Sequence, residues 1–321
     1  MMEKALKNFH EQFDYRPEVE NGEKLKKYDK FIVIGMGGSA LSAGLLKTAY
    51  PNLNLLVHKT YGLPPVHHED KSKTLVIASS YSGNTEETLD GFNEAISQKI
   101  DVAAIAANGK LMELARKEKV PFVQIPDTGI EPRLATGFSL NSILSLVDGS
   151  ESGKLDGLVK SLDSQLEEIK AKAIIEKIKG KVPVIYSSAR NEAIAYNWKI
   201  AFNESGKIPA FHNVFPELNH NEMNSYESIE STKVLGEKFH FIFLKDQTDH
   251  PRIIKRMEVC KKIYEDLGYK VEIIELEGSF VWHKIFSSIL LAGWVALYLS
   301  RYYGTEPEKV PMIENFKKLI G

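Results

Sequence analysis

The sequence has one cysteine, Cys260, so no intramolecular disulfide can form and a reducing compartment is the expected home. It has no excess of either charge. Lysine plus arginine number 41 and aspartate plus glutamate 43, for a net charge of −2. No basic footprint for nucleic acid results. The opening Met1-Met2-Glu3-Lys4 has no apolar signal core. The most apolar stretch, Ile285 to Leu299, is interrupted by Ser287 and Ser288. It falls short of the roughly 20 apolar residues of a membrane span and reads as a buried helix. The expectation is a cytoplasmic protein with neither a nucleic-acid nor a membrane partner. Repeats of short period and low-complexity tracts are also missing. What remains, 321 residues that are 43% hydrophobic and 26% charged, fits a globular chain of about two domains.

Met1 to Lys27 is charged with scattered aromatics and reads as a helical arm and a loop. Phe31-Ile32-Val33-Ile34 follows, a continuous apolar run ending at glycine. Such runs fit strands buried on both faces of a parallel sheet. Similar runs are Leu53 to His58, Thr74 to Ala78, Val102 to Ala106 and Pro121 to Ile125, with helical patterns between them at Ala40 to Tyr50 and Thr85 to Ser97. Composition shifts at Asp148 to Leu155, the linker candidate. The second half opens with a charged helical stretch, Leu158 to Lys179, and then alternates again. Its strands are Val182 to Tyr186, Phe239 to Leu244 and Val271 to Glu275, and its helices Ala189 to Asn203, Arg252 to Leu267 and Lys284 to Tyr303. The fold class expected is α/β, with two doubly wound units, each a mainly parallel sheet flanked by helices. The boundaries expected are 1–150, with the N-terminal arm and the phosphate-binding turns, and 151–321, with the catalytic glutamate and the C-terminal helices.

Two turns stand where chemistry is expected. The first strand runs into Gly35-Met36-Gly37-Gly38-Ser39-Ala40 and then a helix. Exposed N–H groups at a helix N-terminus make an anion site, glycine lets a ligand approach, and Ser39 adds a hydroxyl. A dinucleotide site would need an acid about 20 positions on, where Val57-His58-Lys59-Thr60 offers none. A phosphate-loop NTPase would need Gly-Lys-Ser/Thr, also missing. The other turn, Ser79-Ser80-Tyr81-Ser82-Gly83-Asn84-Thr85-Glu86-Glu87-Thr88, puts the hydroxyls of Ser80, Ser82 and Thr85 between a strand and a helix. Asn84 or Thr85 is the expected cap of that helix. Both turns belong at the carboxyl edge of one sheet, where α/β folds bind ligands. Together they suit a phosphate monoester held without metal, on Gly37, Gly38, Ser39, Ser80, Ser82 and Thr85.

These two motifs resemble the sugar isomerase (SIS) domain, and within it the archaeal-type bifunctional phosphoglucose/phosphomannose isomerase family, over essentially the whole chain. The resemblance implies a metal-independent, cofactor-free aldose–ketose isomerase acting on sugar 6-phosphates through a cis-enediolate. Such chemistry needs a base to move a proton between C1 and C2 and groups that open the ring. Phe202-Asn203-Glu204-Ser205-Gly206-Lys207 places Glu204 where a helix should stop, and His220 lies 16 positions on in Glu217-Leu218-Asn219-His220-Asn221-Glu222. The family has a catalytic glutamate and histidine at that spacing. By resemblance Glu204 shuttles the proton, and His220 opens the ring from the neighbouring subunit of a homodimer. Arg133, in Glu131-Pro132-Arg133, resembles the family arginine beside the reacting carbons; its permanent charge suits an enediolate. Lys317 matches the family's C-terminal ring-opening lysine, with Lys318 one step out. Val310 stands where the family usually has threonine, which keeps the room for both C2 epimers and loses a hydroxyl.

Other readings carry less. His67-His68-Glu69-Asp70 lacks metal-ligand spacing, and no metal is expected. His220-Asn221-Glu222 resembles a deaminase His-x-Glu, but Cys-x-x-Cys is missing. The aromatics Trp282, Phe286, Trp294, Tyr298 and Tyr302 recur at helical spacings and read as core or dimer contact. The alternative function is a non-catalytic sugar-phosphate-binding regulator, which has no need of the base Glu204. A nicotinamide-dependent enzyme on the glycine turn is a third.

Overall fold

The computed structural model describes residues 1–147, 153, 155–227 and 229–320. They form two compact units: Asn8–Leu162, and Met1–Lys7 together with Asp163–Gly321. The boundary expected at 150/151 and most of the expected linker lie outside the described residues. The N-terminal residues Met1–Lys7, expected with the first half, belong to the second unit. Their helix α1 (Met2–Lys7) buries Met2 and Leu6.

In the Asn8–Leu162 unit the strands are β1 (Val19–Glu20), β2 (Lys30–Ile34), β3 (Leu55–His58), β4 (Thr74–Ser79), β5 (Asp101–Ala106) and β6 (Phe122–Gln124). The helices are α2 (Gly37–Ala49), α3 (Glu86–Ser97), α4 (Lys110–Glu118), α5 (Thr136–Val147) and α6 (Asp156–Ser161). The strands lie in the order β1-β6-β5-β4-β2-β3, and every neighbouring pair is parallel except β1 with β6. The apolar runs earn their place by alternation. Ile32, Ile34, Val76, Ala78, Val102 and Ala104 form one buried cluster with Phe92 of α3 and Leu111 of α4. Phe31, Val33, Leu75 and Ile77 point to the opposite face and are equally buried, as strands covered on both sides must be. Numbered from β2, the parallel strands run 2-1-3-4-5, so the order reverses between β2 and β4. Ligands bind in α/β sheets at the carboxyl ends of such a pair.

The second unit holds β7 (Val182–Ser188), β8 (Phe211–Phe215), β9 (Phe239–Lys245) and β10 (Val271–Glu275), all parallel, in the order β10-β9-β7-β8. Its helices after α1 are α7 (Ser164–Ile178), α8 (Glu192–Ile200), α9 (Lys233–Gly236), α10 (Pro251–Asp266), α11 (Val281–Tyr303) and α12 (Pro311–Ile320). The charged stretch expected as one helix breaks at Asp163. Its carboxylate caps α7, accepting from the amides of Gln165 and Leu166 at 3.0 Å each. Helix α11 is long and apolar enough to span a bilayer, yet most of it is buried. The core under α10 is aromatic: Tyr186, Phe215, Tyr226, Phe241, Phe243 and Tyr264 pack with Met257 and Cys260.

The two sheets thus repeat one strand order, 2-1-3-4, with different fillings at the reversal. Between β7 and β9 the Lys284 ammonium bonds both oxygens of Asp246 at 2.8 and 2.9 Å. Ser188 donates to Asp249 at 2.9 Å, and the Asn191 amide reaches Ser188 and Asp246. Protein side chains close this reversal point. The one between β2 and β4 is built of glycine and hydroxyls.

Candidate active site

At the carboxyl end of β2, α2 starts on Gly37, whose φ of 51° favours glycine. A Cβ on Gly38 would lie 2.8 Å from the carbonyl oxygen of Pro132, so glycine there lets the Pro132–Arg133 peptide pack on the turn. Ser39 is buried, and its Oγ accepts the backbone N–H of Tyr81 at 3.1 Å. That bond ties the glycine turn to the serine turn. Within the serine turn, the Ser80 and Thr85 hydroxyls lie 2.8 Å apart, and the Thr85 amide donates to Ser80 Oγ at 3.4 Å. Ser82 is exposed and accepts the Asn84 amide at 3.3 Å. A Cβ at Gly83, with φ of 68°, would come within 1.7 Å of the Asn108 carbonyl, so only glycine fits.

Capping differs from expectation. Thr85 occupies the N-cap of α3, yet its hydroxyl turns to Ser80, and neither α2 nor α3 has a side-chain cap. Both helices therefore point uncapped first-turn N–H groups at the carboxyl edge, as an anion site requires. The six residues expected to hold phosphate all lie on these two linked turns.

Arg133 sits in a short 3-10 turn, Pro132–Leu134. Its side chain is buried, with Nη1 3.3 Å from the Glu131 carboxylate. A partner so close holds the guanidinium in place and offsets part of the desolvation of its charge. The turn is held by Gln12, which the sequence reading missed. The buried Gln12 amide donates to the Leu134 carbonyl at 2.8 Å and accepts the Gly137 N–H at 3.0 Å. Nothing in the sequence singles out one glutamine of the N-terminal arm.

The remaining three candidates belong to the second unit. Helix α8 does not simply stop before Gly206. It passes into a π-helical turn, Ala201–Ser205, closed by the Gly206 N–H on the Ala201 carbonyl at 3.0 Å. Such bulges recur at functional sites. Glu204 lies on this turn and is half-buried. Asn203 braces it by donating to the Ile208 carbonyl at 3.0 Å. Tyr196, eight residues earlier, was not singled out from the sequence. Burial raises its phenol pKa and the charge of Glu204 raises it further. Its ring leans on His212, with centroids 5.4 Å apart. His220 ends the 3-10 turn Glu217–His220 and is exposed. Lys317 and Lys318 lie on α12, which is exposed throughout. These three candidates occupy separate elements.

Comparison with known proteins follows the same lines. A family model described as the bacterial phospho-glucose isomerase C-terminal SIS domain matches residues 167–320. A bifunctional phosphoglucose/phosphomannose isomerase from Aquifex aeolicus is 35% identical over 98% of this chain and 97% of its own. One of the same name from Thermoplasma volcanium is 33% identical over 93% of each. Among solved structures, a hypothetical protein from Thermus thermophilus superposes with a TM-score of 0.72, covering 99% of this chain and 88% of that one at 18% identity. At that identity the likeness concerns the fold. With paired SIS-type α/β units along its length and a full-length match at this identity, the chain belongs to the family of bifunctional phosphoglucose/phosphomannose isomerases.

Proposed function

We propose that this protein is an aldose–ketose isomerase that interconverts glucose 6-phosphate and mannose 6-phosphate with fructose 6-phosphate. The observation that carries the reading is the pair of turns at the β2/β4 reversal, linked by the Ser39–Tyr81 bond. The phosphate rests on the amides and hydroxyls of Gly37, Gly38, Ser39, Ser80, Ser82 and Thr85. Glu204 takes the C2 proton of the open-chain aldose and returns it to C1, through a cis-enediolate whose charge Arg133 stabilises. His220 and Lys317 open the ring, with His220 supplied by the second subunit of a homodimer. The protein works in the cytoplasm, and no metal or organic cofactor takes part. Val310 keeps the space that admits both epimers.

The test is to incubate the purified protein with chelator and each aldose phosphate, and to measure fructose 6-phosphate. Turnover of both is expected. Sugar-phosphate binding without turnover of either would make the protein a sensor and refute the isomerase reading.

A further inference from the structure

We propose that Glu222 is a positioning residue for His220, holding the loop that presents this histidine for ring opening; the inference rests on the function proposed above. The loop Glu217–Tyr226 consists of two 3-10 turns, Glu217–His220 and Glu222–Tyr226. They meet at Asn221, at φ −147° and ψ −74°. His220 is the last residue of one turn and Glu222 the first of the other, so any rotation of Glu222 is passed to His220 through a single residue.

The loop is exposed at its tip and fixed on both sides of it. Leu218 is fully buried. Asn219 accepts from Arg256 of α10 at 3.2 Å, and Asn221 donates to Glu217 at 2.7 Å. On the far side Tyr226 is wedged edge-on against Phe241 and Tyr264, with centroids 4.9 and 5.5 Å away. The central tie is Glu222. One carboxylate oxygen accepts the Tyr186 hydroxyl of β7 and the other the Asn213 amide of β8. Tyr186 is fully buried in the aromatic core, and burial drives its pKa far up, so it donates at every working pH. His220 itself is exposed and makes no hydrogen bond or ion pair among the described residues.

The choice of residue matters. Apolar contacts could have anchored this loop, as Leu218 and Tyr226 do. A half-buried carboxylate carries a desolvation cost that only well-aligned donors offset. Two donors on neighbouring strands fix both oxygens, and with them the direction in which the loop tip points. A ring-opening acid or base needs that, because it acts only within hydrogen-bond reach of the ring oxygen or the anomeric hydroxyl.

The experiment compares two ketose phosphates. Fructose 6-phosphate is mostly a closed furanose, whereas 5-deoxyfructose 6-phosphate lacks the hydroxyl that closes the ring. With Glu222→Ala, kcat on fructose 6-phosphate should fall roughly 10- to 100-fold, the range for a misplaced catalytic group. Exchange of a C1 hydrogen of the deoxy analogue with solvent deuterium should stay within about twofold of wild type. Tyr186→Phe, which removes one donor and keeps the ring, should show the same split more weakly and serves if Glu222→Ala does not fold. In a His220→Ala background, Glu222→Ala should add no further loss on fructose 6-phosphate. Equal losses on both substrates, or additive losses in the double variant, would overturn the assignment. If wild-type protein exchanges neither substrate, it is the isomerase reading that fails.

Discussion

Replacing Gly38 by alanine separates the glycine turn from the arginine turn with one methyl group. The added Cβ would lie 2.8 Å from the Pro132 oxygen, 2.9 Å from its carbonyl carbon and 3.0 Å from the Arg133 nitrogen. All three are backbone atoms, so no side chain can swing away. Ordinary contact begins at 3.4 Å, and the two segments must part by 3.4 − 2.8 = 0.6 Å. Overpacking of this kind costs about 1–3 kcal/mol. At about 2–4 °C per kcal/mol for a unit of this size, Tm should fall by several degrees. The catalytic effect comes from the same displacement. A shift of 1 Å in a positioned group costs on the order of 10²-fold, so a shift of about half that should cost roughly tenfold in kcat/KM. Thermal unfolding and initial-rate kinetics measure both. The control is Gly22→Ala, whose Cβ would touch Val19 at an ordinary 3.4 Å and should be silent. Wild-type kcat/KM and Tm in Gly38→Ala would refute the claim that the two turns act as one rigid cradle.

Ser82→Ala removes an exposed hydroxyl whose bond within the turn is to the Asn84 amide. A hydrogen bond to a charged phosphate contributes about 1.5–3 kcal/mol, so kcat/KM should drop at least tenfold while Tm stays put. Lys284→Ala strands Asp246, which is 2% exposed. Breaking such a buried pair costs about 3–5 kcal/mol, to be read by urea unfolding. The effect should depend on pH. Burial raises the Asp246 pKa, but the bonds from Lys284 and Thr248 outweigh it and leave the value below the ordinary one. A carboxylate held low in the fold stabilises above its unfolded pKa, about 3.9, and loses that contribution as pH falls through its folded value. The gap between wild type and Lys284→Ala should therefore be full at neutral pH and close below about pH 4. A gap that widened in acid would contradict the ion pair.

Most of the sheet structure is legible because a strand buried on both faces must be apolar throughout. β2, β4 and β5 read this way, to within a residue or so of their ends, and β9 does so apart from the buried His240. β8 (Phe211–Phe215) escaped because it is an edge strand with two polar residues and an exposed Phe211. Helix α5 escaped because buried serines and an asparagine interrupt its apolar pattern; Ser142 folds its hydroxyl back onto the Phe138 carbonyl. At the candidate site, the turn residues were readable from glycine and hydroxyl chemistry. The π turn under Glu204 was not, since five-residue and four-residue hydrogen-bond spacings leave the same local composition. The supports were hidden for a different reason. Gln12 holds Leu134 across 122 positions of sequence, and Tyr186 reaches Glu222 across 36, so neither partnership has a local signature.

The most direct test of the central claim follows hydrogen at the reacting carbons. Fructose 6-phosphate is incubated in deuterated water with wild-type protein and with Glu204→Gln, which keeps the shape of the side chain and removes its basicity. Wild type should wash solvent deuterium into the C1 position and form aldose phosphate. Glu204→Gln should still bind the sugar phosphate while exchange and turnover fall together by about 10²–10⁴-fold, the usual contribution of a general base. Exchange in Glu204→Gln at the wild-type rate would take the proton transfer away from this carboxylate and contradict the mechanism.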